Sequence, residues 1–221
     1  GIIKRISLNA YNTARKGGLI ALELNEGDEL AWVRLTDGNQ QVIVATKNGL
    51  AIRFEETDVR PMGRQARGVK AISLREGDCV VGMCVVANDD LILTASETGF
   101  GRISNVSDYR LQSRGGKGIT NYHTEKYGNV AAVSAVKLDE DIIIISQEGV
   151  IIRIAADTVR ICNRPSKGVT LMRIGENDKV VTVARAPHED SESEKTEETA
   201  EEETSEENTA PETNAEENTE E

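Results

Sequence analysis

DLILTASETG, residues 90–99, is an aliphatic run that ends in a Ser-Glu-Thr-Gly turn, and this turn recurs at a fixed interval along the chain. Related turns end at Gly49 and Gly149, so the spacing is 50 residues in both directions. A fixed period of this length is typical of a repeat architecture. Three longer segments follow the same interval: DVRPMGRQARGV (58–69), DYRLQSRGGKGI (108–119) and TVRICNRPSKGV (158–169). The body of the chain therefore divides into four copies: 1–48, 49–98, 99–148 and 149–187.

Each copy has the pattern of four short strands. In the second copy they are LAIRF, GVKAISL, DCVVGMCVV and DLILTAS, which are β-branched or alternating and are separated by Gly, Asp, Asn and Glu. No stretch shows sustained helical periodicity. Four strands in each repeat favour a radial array of blades. We therefore predict an all-β, propeller-like fold with about four four-stranded blades in this chain.

The charge is distributed unevenly along the chain. Residues 1–187 hold 25 Lys and Arg against 22 Asp and Glu, a net charge of +3, whereas residues 188–221 hold one Lys and 16 acids, a net charge of −15. The second segment contains no Val, Leu, Ile, Met, Phe, Tyr or Trp, so it cannot bury enough surface to offset the entropy of ordering. We predict a disordered acidic tail. It is either a solubilising segment or a polyanion that competes with another polyanion for the body.

Several classes of protein find no support in the sequence. The three cysteines lack CxxC spacing, so they predict neither a zinc site nor a disulfide framework, in keeping with a reducing cytoplasm. No apolar run approaches 18 residues, so we expect no membrane insertion. GGKGIT lacks the features of a P-loop, and GFGRIS lacks the third glycine of a dinucleotide fingerprint. With His123 and His188 isolated, we predict no catalytic residue and no metal site.

A basic segment follows the first strand of every copy. Its cations are Arg15 and Lys16 in the first copy, Arg60, Arg64, Arg67 and Lys70 in the second, Arg110, Arg114 and Lys117 in the third, and Arg160, Arg164 and Lys167 in the fourth. Equivalent positions of a radial array lie at equal radius, so the repeated loop predicts a basic arc that suits a curved polyanion. Aromatic residues make up only 3% of the chain and no recognition helix is evident. We therefore predict backbone-directed binding of duplex DNA.

The loop LQSRGGKGIT (111–120) carries the sharpest candidate site. Arg114 and Lys117 could each bind a phosphate, and Gly115 and Gly116 would let backbone N–H groups approach it. Alternatively, the glycines only serve a turn that needs positive φ.

The equivalent cations of the other copies are candidates through the repeat. Arg64, Arg67, Arg164 and Lys167 are assigned the same role, with Lys70, Arg15 and Lys16 beside them. The first arginine of each segment either binds phosphate or pairs with a nearby acid. The residues concerned are Arg60, Arg110 and Arg160, with Asp58, Asp108 and Asp157 as possible partners.

These repeats resemble those of the C-terminal domain of the bacterial DNA gyrase A protein. The resemblance rests on the apolar-x-K/R start, the R–G loop, the L-x-x-GD-x-V segment and the T/S-x-x-G ending of each copy. Gln112–Gly118 is similar to the gyrase box of that family, Q-R-R-G-G-K-G, with one departure at Ser113, and this similarity adds Gln112 to the DNA-binding candidates. The resemblance covers about residues 1–187, and the acidic tail is also similar.

The resemblance implies a β-pinwheel, a six-bladed variant of the propeller that wraps DNA in a positive-handed crossing and supports ATP-dependent negative supercoiling. It implies three partners: double-stranded DNA, the N-terminal region of gyrase A, and gyrase B in an A2B2 holoenzyme. ATP and magnesium would be used by other domains, and this chain would need no cofactor. The catalytic tyrosine of the family has no counterpart here, further blades are expected upstream of Gly1, and the location would be the bacterial cytoplasm, at the nucleoid.

Two alternatives remain open from the sequence. The paralogous protein of topoisomerase IV has fewer repeats and degenerate boxes, and the low repeat count of this chain leaves room for it, whereas RGGKG favours gyrase. A protein-binding propeller would not need cations in register in every blade.

Overall fold

The computed structural model describes residues 1–12 and 17–188. Arg15, Lys16 and the predicted acidic tail beyond His188 therefore lie outside the described residues. By its internal contacts the chain divides into two units, Gly1–Pro187 and His188–Glu221. Every strand and helix described below belongs to the first unit.

Short antiparallel strands make up most of the regular structure, which confirms the predicted all-β fold. In chain order the strands are β1 (Ile2–Ile3), β2 (Gln41–Thr46), β3 (Leu50–Glu55), β4 (Val69–Lys70), β5 (Val80–Val86), β6 (Leu91–Ser96), β7 (Phe100–Asn105), β8 (Ile119–Thr120), β9 (Val130–Val136), β10 (Glu140–Ser146), β11 (Ile151–Ala155), β12 (Val169–Thr170) and β13 (Val180–Pro187). Single-turn 3-10 helices lie at Leu8–Tyr11, Glu56–Asp58, Val106–Asp108 and Ala156–Thr158, and a short helix, α1, spans Thr124–Tyr127.

The sheets follow the sequence repeat. One sheet has the order β5-β2-β3-β8, and the equivalent sheet one repeat later has the order β9-β6-β7-β12. A third sheet has the order β11-β10-β13, and β1 pairs with β4. The described part of the first copy thus forms two strands, β1 and β2, where the sequence predicts four. Residues 30–35 match β5 in the repeat but have no counterpart of β2 to pair with among the described residues, and Leu30, Val33 and Leu35 remain exposed.

The recurring turn closes each central hairpin. Gly49 has a φ of +79°, and its N–H donates to the carbonyl oxygen of Thr46 at 3.1 Å. Gly99 and Gly149 repeat this arrangement with φ values of +81° and +86°. A positive φ favours glycine because it has no Cβ, which explains why the repeated turn always ends in this residue.

An aspartate just before β5 and another just before β13 accept hydrogen bonds from the turns of two of these hairpins. Oδ1 of Asp78 accepts hydrogen bonds from the N–H groups of Asn48 and Cys79, each at 2.9 Å. Asp178 does the same for Glu148 and Lys179. The side chain of Ser146, followed by backbone N–H groups, lowers the pKa of Asp178, because these donors stabilise the carboxylate. Asp78 and Asp178, 100 residues apart, therefore cap equivalent turns.

The outer strand of each complete blade comes from the following repeat. β8 pairs with β3 in the register Leu50↔Thr120 and Ala51↔Ile119. β12 pairs in the same way with β7, and β4 with β1. Glycine is required at these crossings: at Gly118, where φ is +76°, a Cβ would lie 2.5 Å from the carbonyl oxygen of Ala51. Consecutive repeats are therefore interlocked.

The core lies between neighbouring sheets. Side chains alternate along β2, so Val42 and Val44 join one apolar cluster while Ile43 and Ala45 join the next. A third cluster, which includes Leu93 and Ile142, lies between the sheet that contains β6 and the sheet that contains β10. Because both faces of the inner sheets are buried, their strands are continuous apolar runs.

Candidate nucleic-acid interface

Three exchange loops, residues 58–70, 108–120 and 158–170, carry the predicted phosphate ligands. We call them the first, second and third exchange loops. Each begins at the end of a 3-10 helix and ends in a short strand that pairs with the preceding repeat. The anchoring bond is the same in all three: the N–H groups of Met62, Gln112 and Cys162 donate to the carbonyl oxygens of Arg5, Arg53 and Ile103 at 2.9, 2.8 and 2.8 Å.

Residues that directly follow one exchange loop contact the next loop. The N–H of Gly115 donates to the carbonyl oxygen of Ala71 at 2.6 Å, and the N–H of Ser73 donates to that of Gly116 at 2.8 Å. One repeat later, the hydroxyl of Tyr122 donates to the carbonyl oxygen of Lys167 at 3.1 Å. The loops therefore lie side by side and form one continuous track.

The middle arginine of each loop bonds to the backbone of the preceding repeat. Nε of Arg114 donates to the carbonyl oxygen of Asp58 at 2.9 Å, and Nη1 donates to that of Lys70 at 3.1 Å. Nε of Arg164 donates to Asp108 at 2.9 Å and Nη1 to Thr120.

Arg64 keeps one bond of this pair, to the carbonyl oxygen of Ile20 at 3.2 Å. The guanidinium of Arg164 also lies over the ring of Tyr109, 5.1 Å from its centroid. The predicted phosphate ligands Arg64, Arg114 and Arg164 thus have structural contacts that the sequence did not reveal.

The first arginine of each loop is exposed. Arg60, Arg110 and Arg160 form no side-chain hydrogen bond or ion pair within residues 1–12 and 17–188. The alternative that they pair with Asp58, Asp108 or Asp157 is therefore not realised in the described structure. Three unpaired guanidinium groups at equivalent positions are available to an anion.

The cation at the equivalent positions 67, 117 and 167 has different contacts in each loop. Lys117 is exposed, with no side-chain partner among the described residues. The ammonium of Lys167 lies 3.5 Å from the ring centroid of Phe100 and 5.8 Å from that of Tyr127. Arg67 donates to Oδ1 of Asn25 at 3.3 Å. Lys117 is consequently the freest of the three to contact a ligand.

The remaining candidates around the RGGKG motif differ in whether their polar groups are exposed to a ligand. Gly115 has a φ of +80° and its N–H is bonded to Ala71, so it serves the turn and the contact between loops. Gly116 is exposed, and its N–H is without a partner among the described residues. Gln112 is half-buried and anchored through its backbone, while the side chain of Lys70 is exposed.

Two buried arginines, one in β3 and one in β7, donate to backbone carbonyl oxygens beyond their own hairpins, and no pattern in the sequence marks them. Arg53 is 5% exposed and donates from Nη1 to the carbonyl oxygens of Val106 and Tyr109 in the next repeat, at 2.9 and 3.0 Å. Arg102 is fully buried, bonds to the carbonyl oxygen of Asn121 at 2.6 Å and faces the ring of Tyr122. Burial lowers the pKa of both guanidinium groups.

No metal centre is evident in the part of the chain that the structure describes. No group of three His, Cys, Asp or Glu residues is placed to hold a metal ion there. A cleft beside Trp32 is lined mainly by small aliphatic residues of β5, β9 and β13. Within the same residues, no helix is long and apolar enough to cross a membrane.

Comparison with known proteins identifies a family along most of the chain. The family model described as "DNA gyrase C-terminal domain, beta-propeller" matches residues 1–37, 40–86, 90–137 and 140–187. The second match thus runs from β2 to β5 and the third from β6 to β9. Each match therefore begins about ten residues before the corresponding copy, 49–98 or 99–148.

Curated relatives match a shorter part of the chain. The DNA gyrase A protein of Halalkalibacterium halodurans is 60% identical over 70 residues, and that of Clostridium acetobutylicum is 56% identical over 70 residues. Each match covers 32% of this chain and 8% of the relative.

Solved structures match more of the fold. The crystal structure of the C-terminal domain of DNA topoisomerase IV has a TM-score of 0.80 and 26% identity, and the match covers 92% of this chain and 64% of that one. The structure of a DNA gyrase A C-terminal domain has a TM-score of 0.69 and 30% identity, and the match covers 77% and 59%.

Proposed function

Because the chain belongs to the DNA gyrase C-terminal β-propeller family, we propose that it is a module that binds duplex DNA and bends it along the track of exchange loops. In the holoenzyme this bending would present DNA to the N-terminal region of gyrase A, together with gyrase B, for ATP-dependent negative supercoiling. Cleavage and ATP hydrolysis, with its magnesium, would fall to those other domains.

One observation carries the proposal: Arg60, Arg110 and Arg160 are exposed and, among the described residues, unpaired at the same position of three consecutive exchange loops. Each loop contacts residues that follow the preceding loop, and we infer that the three guanidinium groups lie along one path. Cations repeated along a path suit the phosphates of a duplex that follows the same path. A protein-binding propeller has no need of this repetition.

The predicted ligands contribute unequally to this proposal. Arg110 and Lys117, with Arg60 and Arg160, would bind phosphate directly because their charged groups are free of partners in the described structure. Gly116 would add a backbone N–H. Arg114 and Arg164 would add positive charge near the path while bonded to the backbone of the preceding repeat, and Arg67, Lys70 and Lys167 would contribute at its edges. Arg15 and Lys16 are proposed from the sequence alone.

Salt dependence tests DNA binding. If several phosphates are neutralised, the logarithm of the affinity for duplex DNA should fall with the logarithm of the salt concentration, with a slope of about −0.9 for each phosphate. Random duplexes of equal length should bind with similar affinity, because phosphate contacts carry no sequence information. A slope near zero would remove the proposal.

The topoisomerase IV reading is the second candidate, because the C-terminal domain of that enzyme matches 92% of this chain with a TM-score of 0.80. Closing a nicked plasmid with ligase in the presence of the protein separates the two. Wrapping in the positive-handed sense expected of gyrase would raise the linking number of the closed product. Binding with an unchanged linking number would favour the topoisomerase IV reading.

A further inference from the structure

We propose that the middle arginine of the exchange loop, Arg114 in the second loop and Arg164 in the third, is a positioning residue that holds consecutive loops together and so sets the path along which DNA bends. This inference rests on the proposed function for its DNA readout only. The claim that the arginine holds the loops together concerns the protein without DNA.

A single geometry recurs in the two loops. Nε bonds to a carbonyl oxygen 56 residues earlier, and Nη1 bonds to one 44 residues earlier. For Arg114 these are Asp58 and Lys70, the first and last residues of the preceding loop. One guanidinium therefore spans both ends of that loop and holds them in register with its own.

The chemistry of the contact leaves the charge of the arginine in place. Both acceptors of Arg114 are neutral carbonyl oxygens, and no carboxylate pairs with it among the described residues. The residue can therefore fasten two loops and still contribute a full positive charge to the surface. A lysine in its place would keep the charge but lack the planar fork that bonds two acceptors in divergent directions.

The third loop depends more heavily on its arginine. In the second loop Gly115 supplies an extra N–H bond to Ala71, but the equivalent residue in the third loop is Pro165, which has no N–H. The contact of Arg164 with the ring of Tyr109 takes its place. We therefore expect substitution of Arg164 to disturb the track more than substitution of Arg114.

The decisive experiment measures DNA affinity and DNA bending separately, in variants of the full chain that keep the positive charge. Arg114→Lys and Arg164→Lys are compared with Arg173→Lys, which changes an exposed arginine outside the exchange loops. Affinity is measured by titration of a duplex shorter than the persistence length of about 150 base pairs. Bending is measured at saturation by energy transfer between dyes at the two ends of that duplex.

We expect Arg114→Lys to bind within about twofold of the unsubstituted protein, since the charge is kept, and to lose about half of the energy-transfer change, since the fork is lost. Arg164→Lys should lose more, and Arg173→Lys should change neither readout. If Arg114→Lys bends DNA as well as the unsubstituted protein does, the inference is wrong. The same holds if Arg173→Lys loses bending equally.

A measurement without DNA keeps the inference testable if DNA binding itself fails. The Gly115 amide, bonded to Ala71, is followed by hydrogen exchange in nuclear magnetic resonance spectra. We expect its protection to fall about tenfold in Arg114→Lys and to stay unchanged in Arg173→Lys, because only the first variant loosens the contact between loops. Equal protection in all three proteins would overturn the fastening role whatever the DNA result.

Discussion

Arg53, buried in β3, donates a hydrogen bond of 3.0 Å to the carbonyl oxygen of Tyr109 in the next repeat. The same side chain donates to Val106 at 2.9 Å and, from Nε, to the side-chain oxygen of Gln41 at 2.8 Å. Arg53→Ala would leave these buried acceptors without a donor, so we expect the free energy of unfolding to fall by about 3 kcal/mol or more. Urea denaturation checks this, with Arg173→Ala, an exposed arginine, as the control. A loss no greater than that of the control would contradict the bridging role.

The glycines of the RGGKG motif should differ in their tolerance of substitution. At Gly118 the φ of +76° and the 2.5 Å approach of a Cβ to the carbonyl oxygen of Ala51 both oppose alanine. We expect Gly118→Ala to destabilise the fold by about 2 kcal/mol or more. Gly116→Ala, where the nearest atom to the new Cβ is 3.6 Å away, should stay within about 0.5 kcal/mol of the unsubstituted protein. Thermal unfolding of the matched pair measures the difference, and equal midpoints would count against the exchange-strand account.

The exposed arginines should determine the salt dependence of DNA binding. We expect joint substitution of Arg60, Arg110 and Arg160 by alanine to make the log–log salt slope shallower by about 2.7, which is 0.9 for each lost phosphate contact. Their side chains are exposed, so circular dichroism and thermal unfolding should change little. Arg75→Ala with Arg173→Ala, outside the exchange loops, serves as the control and should leave the slope unchanged. The prediction fails if both sets of variants alter the slope equally.

Cys79 and Cys84 should react with thiol reagents at different rates. Burial raises the pKa of Cys84 to about 11, whereas Cys79 is exposed. At pH 8 only about 0.1% of a thiol with that pKa is the reactive thiolate. We therefore expect a disulfide reagent to modify Cys79 first and Cys84 only on unfolding. Mass spectrometry of partially modified protein locates the label, and Cys79→Ser should remove the fast phase. Early labelling of Cys84 would show that β5 opens readily.

The acidic segment should oppose DNA binding if it competes for the exchange loops. Its net charge is −15 against +3 for residues 1–187. Ending the chain after Pro187 should tighten binding at low salt, and the gain should shrink as salt is added, because screening weakens the competition. A Gly/Ser segment of equal length serves as the control for bulk. If truncation leaves the affinity unchanged, the solubilising interpretation stands.

The strands and the 50-residue period were accessible from the sequence because they depend on local patterns. The Ser-Glu-Thr-Gly turn and the aliphatic run before it predict the hairpin of β6 and β7. The sequence predicts a strand at the equivalent position of the second copy, GVKAISL, but it does not predict that β8 and β12 pair with the preceding repeat, because the choice of partner leaves no local pattern. The first copy departs from the pattern because residues 30–35 resemble a strand but have no partner in the described structure.

The basic loops could be recognised in the sequence as a repeated feature, but the contacts of the individual cations could not. Backbone carbonyls accept the bonds of Arg114 and Arg164, and a carbonyl belongs to every residue, so it gives no signal in the sequence. The same is true of Arg53, whose burial depends on acceptors more than 50 residues away. The role of Arg60, Arg110 and Arg160 stayed open because nearby acids in the chain suggested ion pairs that the described structure lacks.

The exchanged strands also bear on the order in which the domain can be built during synthesis. Ala51 in β3 pairs with Ile119 in β8, so the second blade keeps an open edge until almost 70 further residues have left the ribosome. Domains usually fold from the amino terminus as the chain emerges. Here each blade would close only after the first part of the following repeat has been translated, so we expect nascent chains that pause between repeats to expose one unpaired strand edge.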